Sequence, residues 1–156
     1  MALAAAATLA LVAGATFAGA ARPPGKKYQL AATLSVRNEV HAKDARSAHG
    51  LFSATLTLNG TKGTLAWRLT FSGLSGPAAA AHVHVGPAGK EGPIAIPLCS
   101  PCSSGAHGSF TGPIGGNTRL LLALLHGGTY ANVHTKLNPL GEIRGQIRAT
   151  PIRLGY

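Results

Sequence analysis

The sequence predicts an all-β protein: an antiparallel β-sandwich carrying one short helix and preceded by an apolar export segment. Three observations lead there. Apolar residues come in short alternating runs, as in Phe52 to Leu58, which reads F-S-A-T-L-T-L. The 21 glycines and 10 prolines fall mostly between those runs, where turns are needed. Only Thr118 to His126 is Leu/Ala-rich enough to be helical, and Gly127-Gly128 stops it. With 46% hydrophobic and 12% charged residues, the 156-residue chain can bury a core and is not a disordered polymer.

Residues 1–20 are read as a signal peptide. Leu3 to Phe17 is uncharged and apolar, short for a bilayer span, and Ala18-Gly19-Ala20 has the small-x-small pattern of a cleavage site. No basic residue precedes the apolar stretch, so an uncleaved anchor is the alternative reading. Residues 21–27 form a polar leader, 28–150 the folded domain and 151–156 a tail. Within the domain, Tyr28 to Val36 is rich in strand formers, and Asn38 to Gly50 is a polar loop. Phe52 to Leu58 and Thr64 to Phe71 are strands joined at Asn59-Gly60, a hairpin signal. Ala80 to Val85 and Ile94 to Leu98 flank a Gly/Pro loop, and His107 to Thr111 follows the cysteine loop. Tyr130 to Thr135 and Gly141 to Arg148 complete a set of about seven or eight short strands.

Fourteen Lys and Arg against four Asp and Glu give a formal charge of +10. The cations are scattered and not interleaved with aromatic rings, which argues against nucleic acid as partner. An anionic component of the cell envelope is the partner class this charge fits. The sequence is silent on oligomeric state. Cys99-Ser100-Pro101-Cys102 has no second pair for a zinc site, and no βαβ pattern surrounds it. In an exported chain a local Cys99–Cys102 disulfide is the better reading. With four acids in all, paired carboxylates for hydrolysis are poorly supported, and no nucleophile elbow or phosphate loop is present.

Alternate residues of a strand share a face. His82 and His84 therefore project together, as do Tyr130, Asn132 and His134, and as do Glu142, Arg144 and Gln146. If these polar faces meet, His82, His84 and His134 form a donor set suited to copper or zinc. The plainer reading makes the same histidines partly buried imidazoles bonded to carbonyls and to Asn132, with Arg144 paired to Glu142 or Glu91. His41, His49 and His126 are expected to face solvent.

Three stretches carry a family resemblance: Ala81-His82-Val83-His84-Val85-Gly86-Pro87-Ala88, Tyr130-Ala131-Asn132-Val133-His134-Thr135, and Asn138-Pro139-Leu140-Gly141-Glu142-Ile143-Arg144-Gly145-Gln146-Ile147. Together they resemble the CHRD (chordin-type) domain across about residues 28–149. The resemblance implies an extracytoplasmic module, secreted or periplasmic, and no settled activity. The layout is also similar to the copper site of Cu/Zn superoxide dismutase, which implies a Greek-key sandwich of superoxide-dismutase-like or immunoglobulin-like kind. In that comparison His82 and His84 match an H-V-H ligand pair and His134 a late ligand. Arg144 matches the anion-attracting arginine, which would make it catalytic. His107, five residues after Cys102, approximates a further metal ligand whose spacing in that family is one longer. The zinc-holding histidines and aspartate have no counterpart. Two functions are therefore expected to compete: an exported binding or structural module that holds metal through its histidines, and a copper-only oxidoreductase of dismutase type.

Overall fold

The computed structural model describes residues 25–42 and 47–152. The expected signal peptide, most of the polar leader, Asp44 and the last four residues lie outside the described residues. The strands are β1 (Lys26–Ser35), β2 (His49–Asn59), β3 (Lys62–Ser72), β4 (Ala78–Val85), β5 (Ile94–Cys99), β6 (His107–Gly112), β7 (Thr129–Thr135), β8 (Ile143–Gln146) and β9 (Arg148–Pro151). Among the described residues, one helix, α1 (Thr118–Leu125), and a single 3-10 turn, Val36–Asn38, accompany them. The all-β expectation holds, and several strands extend past their predicted ends. β1 begins at Lys26, inside the expected leader, because Lys26 pairs with Leu58 of β2. β2 begins at His49, inside the expected loop, where it pairs with Ser35 and Ser72.

All pairings are antiparallel, in the order β5-β4-β7-β8-β1-β2-β3-β6. β6 returns to the edge of β3, while β4, next in the chain after β3, crosses over to lie between β5 and β7. These crossings are Greek-key connections. The two halves stay joined where β8 meets β1, so the sandwich is one continuous sheet curled nearly into a barrel.

Alternation builds the core. Phe52, Ala54 and Leu56 of β2 face inward directly opposite Leu69, Trp67 and Leu65 of β3. Leu30 and Leu34 of β1 join them, and Val83, Ile96, Val133 and Ile143 close the core from the other half. The predicted last strand is split. β8 and β9 share one register along β1, with Ser35 opposite Arg144 and Ala31 opposite Arg148. Between them Ile147 turns its N–H to Thr129 O (2.9 Å), because β8 must also pair with β7. α1 is capped by Asn117, whose side chain accepts from Leu120 N at 3.0 Å, and it ends one residue short of His126. Gly127, at φ 76°, takes the left-handed turn that stops it.

The turn between β7 and β8 is pinned by Glu142, which is fully buried. Its carboxylate accepts from Ser75 N and Ser75 Oγ (both 2.5 Å), Thr135 Oγ1 (2.6 Å) and Asn138 Nδ2 (3.0 Å). Burial pushes this carboxyl up, but the donors from Ser75, Thr135 and Asn138 outweigh it and leave the pKa below the ordinary carboxylate value. A depressed carboxyl stabilises the fold above its unfolded value near 4.5, and that contribution is lost as pH falls through the folded value. Glu142→Gln places an amide among four donors. It is expected to cost about 2–3 kcal/mol at neutral pH. The penalty should shrink in acid, read from denaturant midpoints at pH 7 and pH 3.

Candidate metal centre

β4 and β7 lie side by side with His82 opposite Asn132, His84 opposite Tyr130, and Ala80 opposite His134. Ala81, Val83, Ala131 and Val133 occupy the inner face and are fully buried in the core. The polar residues on these strands therefore share the outer face, and His134 sits diagonally from His82. Ring centroids are 4.9 Å apart for His82 and His134, 5.6 Å for His82 and His84, and 5.9 Å for His84 and His134. One ring nitrogen from each lies within 4.8 Å of the other two. Sequence alternation anticipated this meeting, and the register supplies it.

The hydrogen bonds decide which nitrogen each ring can offer. His84 Nδ1 is 2.9 Å from Gly92 O, and His134 Nδ1 is 3.1 Å from Pro139 O. A carbonyl only accepts, so both Nδ1 atoms carry the proton and both Nε2 atoms present lone pairs. His134 Nε2 faces His82 Nδ1 at 3.1 Å. His84 Nε2 is buried with no hydrogen-bond partner among the described residues. Because His134 Nε2 is bare, His82 Nδ1 donates to it in the metal-free pocket. His84 Nε2 and His134 Nε2 are the ready lone pairs, and His82 becomes the third donor by moving that proton to its other ring nitrogen or releasing it. Copper and zinc hold nitrogen at about 2.0 Å, so donors this close fit one ion after small side-chain rotations. Carbonyl-fixed Nδ1–H groups are the outer partners that metal-ligating histidines commonly have.

Burial keeps the imidazoles neutral. His134 is pushed down to about 4, chiefly by desolvation, with further lowering from His82 and His84 against the pull of the Pro139 carbonyl. His82 is lowered by burial and then by His84. His84 is lowered by burial, with Arg144 adding to it and the Gly92 carbonyl and Glu91 opposing. Neutral imidazole is the form a metal requires.

The surroundings hold the rings in place. His84 stacks on Tyr130 with centroids 4.8 Å apart and planes within 7°. Tyr130 OH accepts from Gly92 N at 3.1 Å, so one glycine ties both stacked rings to the loop between β4 and β5. On the same Tyr130 ring lies Arg144, its Cζ 3.4 Å from the centroid.

Arg144 is 2% exposed, and its guanidinium donates to Lys90 O (2.8 Å) and Pro87 O (2.7 Å). It is spent on the loop between β4 and β5. It does not take the expected acidic partners. Glu142 is held by Ser75, Thr135 and Asn138, while Glu91 lies 3.5 Å from the exposed His41.

His107 is not part of the cluster. Cys99 and Cys102 are bonded to each other, Cα to Cα 5.2 Å, and the chain then turns back to β3 through Gly105 N to Leu69 O (2.9 Å). β6 consequently starts with His107 exposed beside Arg68, on the other half of the sandwich. His41, His49 and His126 are exposed, as expected. The sequence reading missed Glu39, which accepts from Asn132 Nδ2 at 2.8 Å and has its carboxyl raised, mainly by burial. A glutamate inside an apparently polar loop gives no periodic signal. The matching clue is Gly141, whose missing Cβ leaves room for Asn132 and Glu39.

Stability should report the buried imidazoles. An unfolded histidine titrates near 6.5, whereas folded His134 stays neutral to about 4. Between those values the unfolded chain binds more protons, so stability falls as pH drops. Thermal unfolding of metal-free protein from pH 6.5 to pH 5 should show a falling Tm, and His134→Gln should flatten that slope. An equal slope in both proteins would refute the assignment.

The sequence matches the family model of the CHRD domain over residues 30–147. No curated protein and no solved structure matched significantly. The matched region contains the three clustered histidines, Arg144 and Glu142, and it runs from β1 to the break between β8 and β9. The chain belongs to the CHRD-domain family.

Proposed function

We propose that this is an exported CHRD module whose pocket of His82, His84 and His134 holds one copper or zinc ion. The observation that carries the reading is His84 Nε2, a lone pair buried without a hydrogen-bond partner among the described residues and grouped with two further imidazole donors. Leaving such an atom unpaired costs free energy, and an ion supplies what it lacks. A site of neutral nitrogens with no thiolate and no carboxylate suits copper or zinc over calcium or magnesium. Three protein donors leave a coordination position open, and half-buried His82 lies on the solvent side of the group.

Within this chain, β4 and β7 set the donor spacing, the Gly92 and Pro139 carbonyls fix the tautomers, and Tyr130 and Arg144 brace the His84 ring. A bound copper would add redox chemistry, a bound zinc Lewis acidity. Export is supported by the apolar segment ending at Ala18-Gly19-Ala20, by the Cys99–Cys102 disulfide and by the extracellular character of CHRD modules. Among the described residues, no helix is long and apolar enough to cross a membrane.

The alternative, a copper-only oxidoreductase of dismutase type, needs a cation guiding anions to the open position. Arg144 is committed to two carbonyls, so the binding reading is preferred. Elemental analysis of protein recovered from the periplasm or medium should find about one equivalent of copper or zinc after loading. His84→Ala and His134→Ala should each weaken retention about 100-fold while the fold persists by circular dichroism. Absence of stoichiometric metal in the loaded wild type would overturn the proposal. Superoxide dismutation by the copper-loaded protein that falls in Arg144→Ala would favour the oxidoreductase.

A further inference from the structure

We infer that the outer face of β9, β1, β2 and β3 is a binding cleft for an acidic oligosaccharide. The sheet register carries one row of outward side chains across four strands: Arg148, Ala31, Ser53 and Arg68. Two arginines thus stand at the ends of a row whose middle is small. They are three strand spacings apart, about 14–15 Å. The next outward row, Thr33, Leu51 and Thr70, lies beside it. Together these residues line a cleft of about 1010 Å³, with Arg37 beyond the end of β1 and Ala88 and Gly89 from the loop between β4 and β5.

Among the described residues, Glu39 is the one carboxylate lining this cleft, and it is half-buried and accepts from Asn132, so the three exposed arginines outnumber it. Arg37, Arg68 and Arg148 are exposed, and among the described residues no carboxylate lies within salt-bridge distance of them. The chain has only four acids. Glu142 is buried in its own network, Glu39 accepts from Asn132, and Glu91 lies against His41. An external anion is therefore the complement, and guanidinium forks match carboxylates bidentately.

The rest of the lining selects the body that carries the anion. Thr33, Ser53 and Thr70 offer hydroxyls, and Leu51, 58% exposed, offers an apolar contact. Hydroxyls between separated cations both donate and accept, which matches the hydroxyls of a chain of sugar acids, whereas a polyphosphate offers acceptors alone. Phe52 is the one aromatic residue in the lining and is 1% exposed, so no ring is offered for stacking a base. The inference gives a partner to the exported module and does not depend on the metal pocket.

The test is calorimetric titration of the full mature protein with tetragalacturonate, with neutral maltotetraose, inorganic polyphosphate and phosphatidylglycerol vesicles as comparisons. Wild type should bind tetragalacturonate, more weakly as salt rises, and should ignore maltotetraose. Arg68→Gln and Arg148→Gln should each weaken binding about tenfold. Arg119→Gln, an exposed position on α1, should leave it unchanged. The exposed arginines can be replaced without disturbing the core, and metal content measured on the same samples should not move. Equal loss in Arg119→Gln, unchanged binding in Arg68→Gln and Arg148→Gln, or tighter binding of polyphosphate or vesicles than of tetragalacturonate would overturn the inference.

Discussion

A strand buried on both faces governs this structure. All seven residues of β7 are buried, although five of them are polar or aromatic. Ala131 and Val133 need nothing beyond packing, since they lie in the core, while Thr135 at the strand's end donates to Glu142. The outer face carries Tyr130, Asn132 and His134, and buried polar groups must find partners. Gly92 N–H serves Tyr130, Glu39 serves Asn132 and the Pro139 carbonyl serves His134. The three segments covering β7 are thus tied down by the strand they cover.

That arrangement fixes protonation as well as position. Each carbonyl that satisfies an Nδ1–H leaves the opposite ring nitrogen bare, and the bare nitrogen of His134 faces His82 Nδ1 while that of His84 is buried beside them. Burial then removes the competing proton. Metal readiness follows from ordinary satisfaction of backbone groups, carried out on a face where three imidazoles converge. Glu142 acts one step further out. By collecting Ser75, Thr135 and Asn138 it holds the turn that presents the Pro139 carbonyl to His134.

Much of this was legible in the sequence because strand alternation has a period of two. The outward faces of β4, β7 and β8, the local disulfide, the helix and the hairpin at Asn59-Gly60 follow from residue order alone. Besides Glu39, three more things did not, each for a physical reason. His107 follows the cysteines at nearly the right spacing, but its position depends on how the chain leaves the disulfide, and it turns to β3. Arg144 has plausible acidic neighbours in the sequence, but Lys90 O and Pro87 O compete for it, and backbone carbonyls leave no mark in side-chain patterns. The break at Ile147 arises because one strand serves two neighbours, a property of topology that no local window contains.

The arginines illustrate how burial divides labour among residues of one charge. Arg144 lines the cleft together with Arg37, Arg68 and Arg148, yet its guanidinium is bonded to two carbonyls and lies over the Tyr130 ring. Drawing it toward an anion would break both hydrogen bonds and strand the loop carbonyls. It would also release the loop that holds the His84 proton through Gly92. The exposed arginines carry no such obligation and can reorganise around a ligand at little cost. Arg144 therefore belongs to the histidine pocket as a brace, while the others form the receptive surface, although all four line the same cleft. The loop between β4 and β5 is the physical boundary between them, with Ala88 and Gly89 on the cleft side and Gly92 on the histidine side.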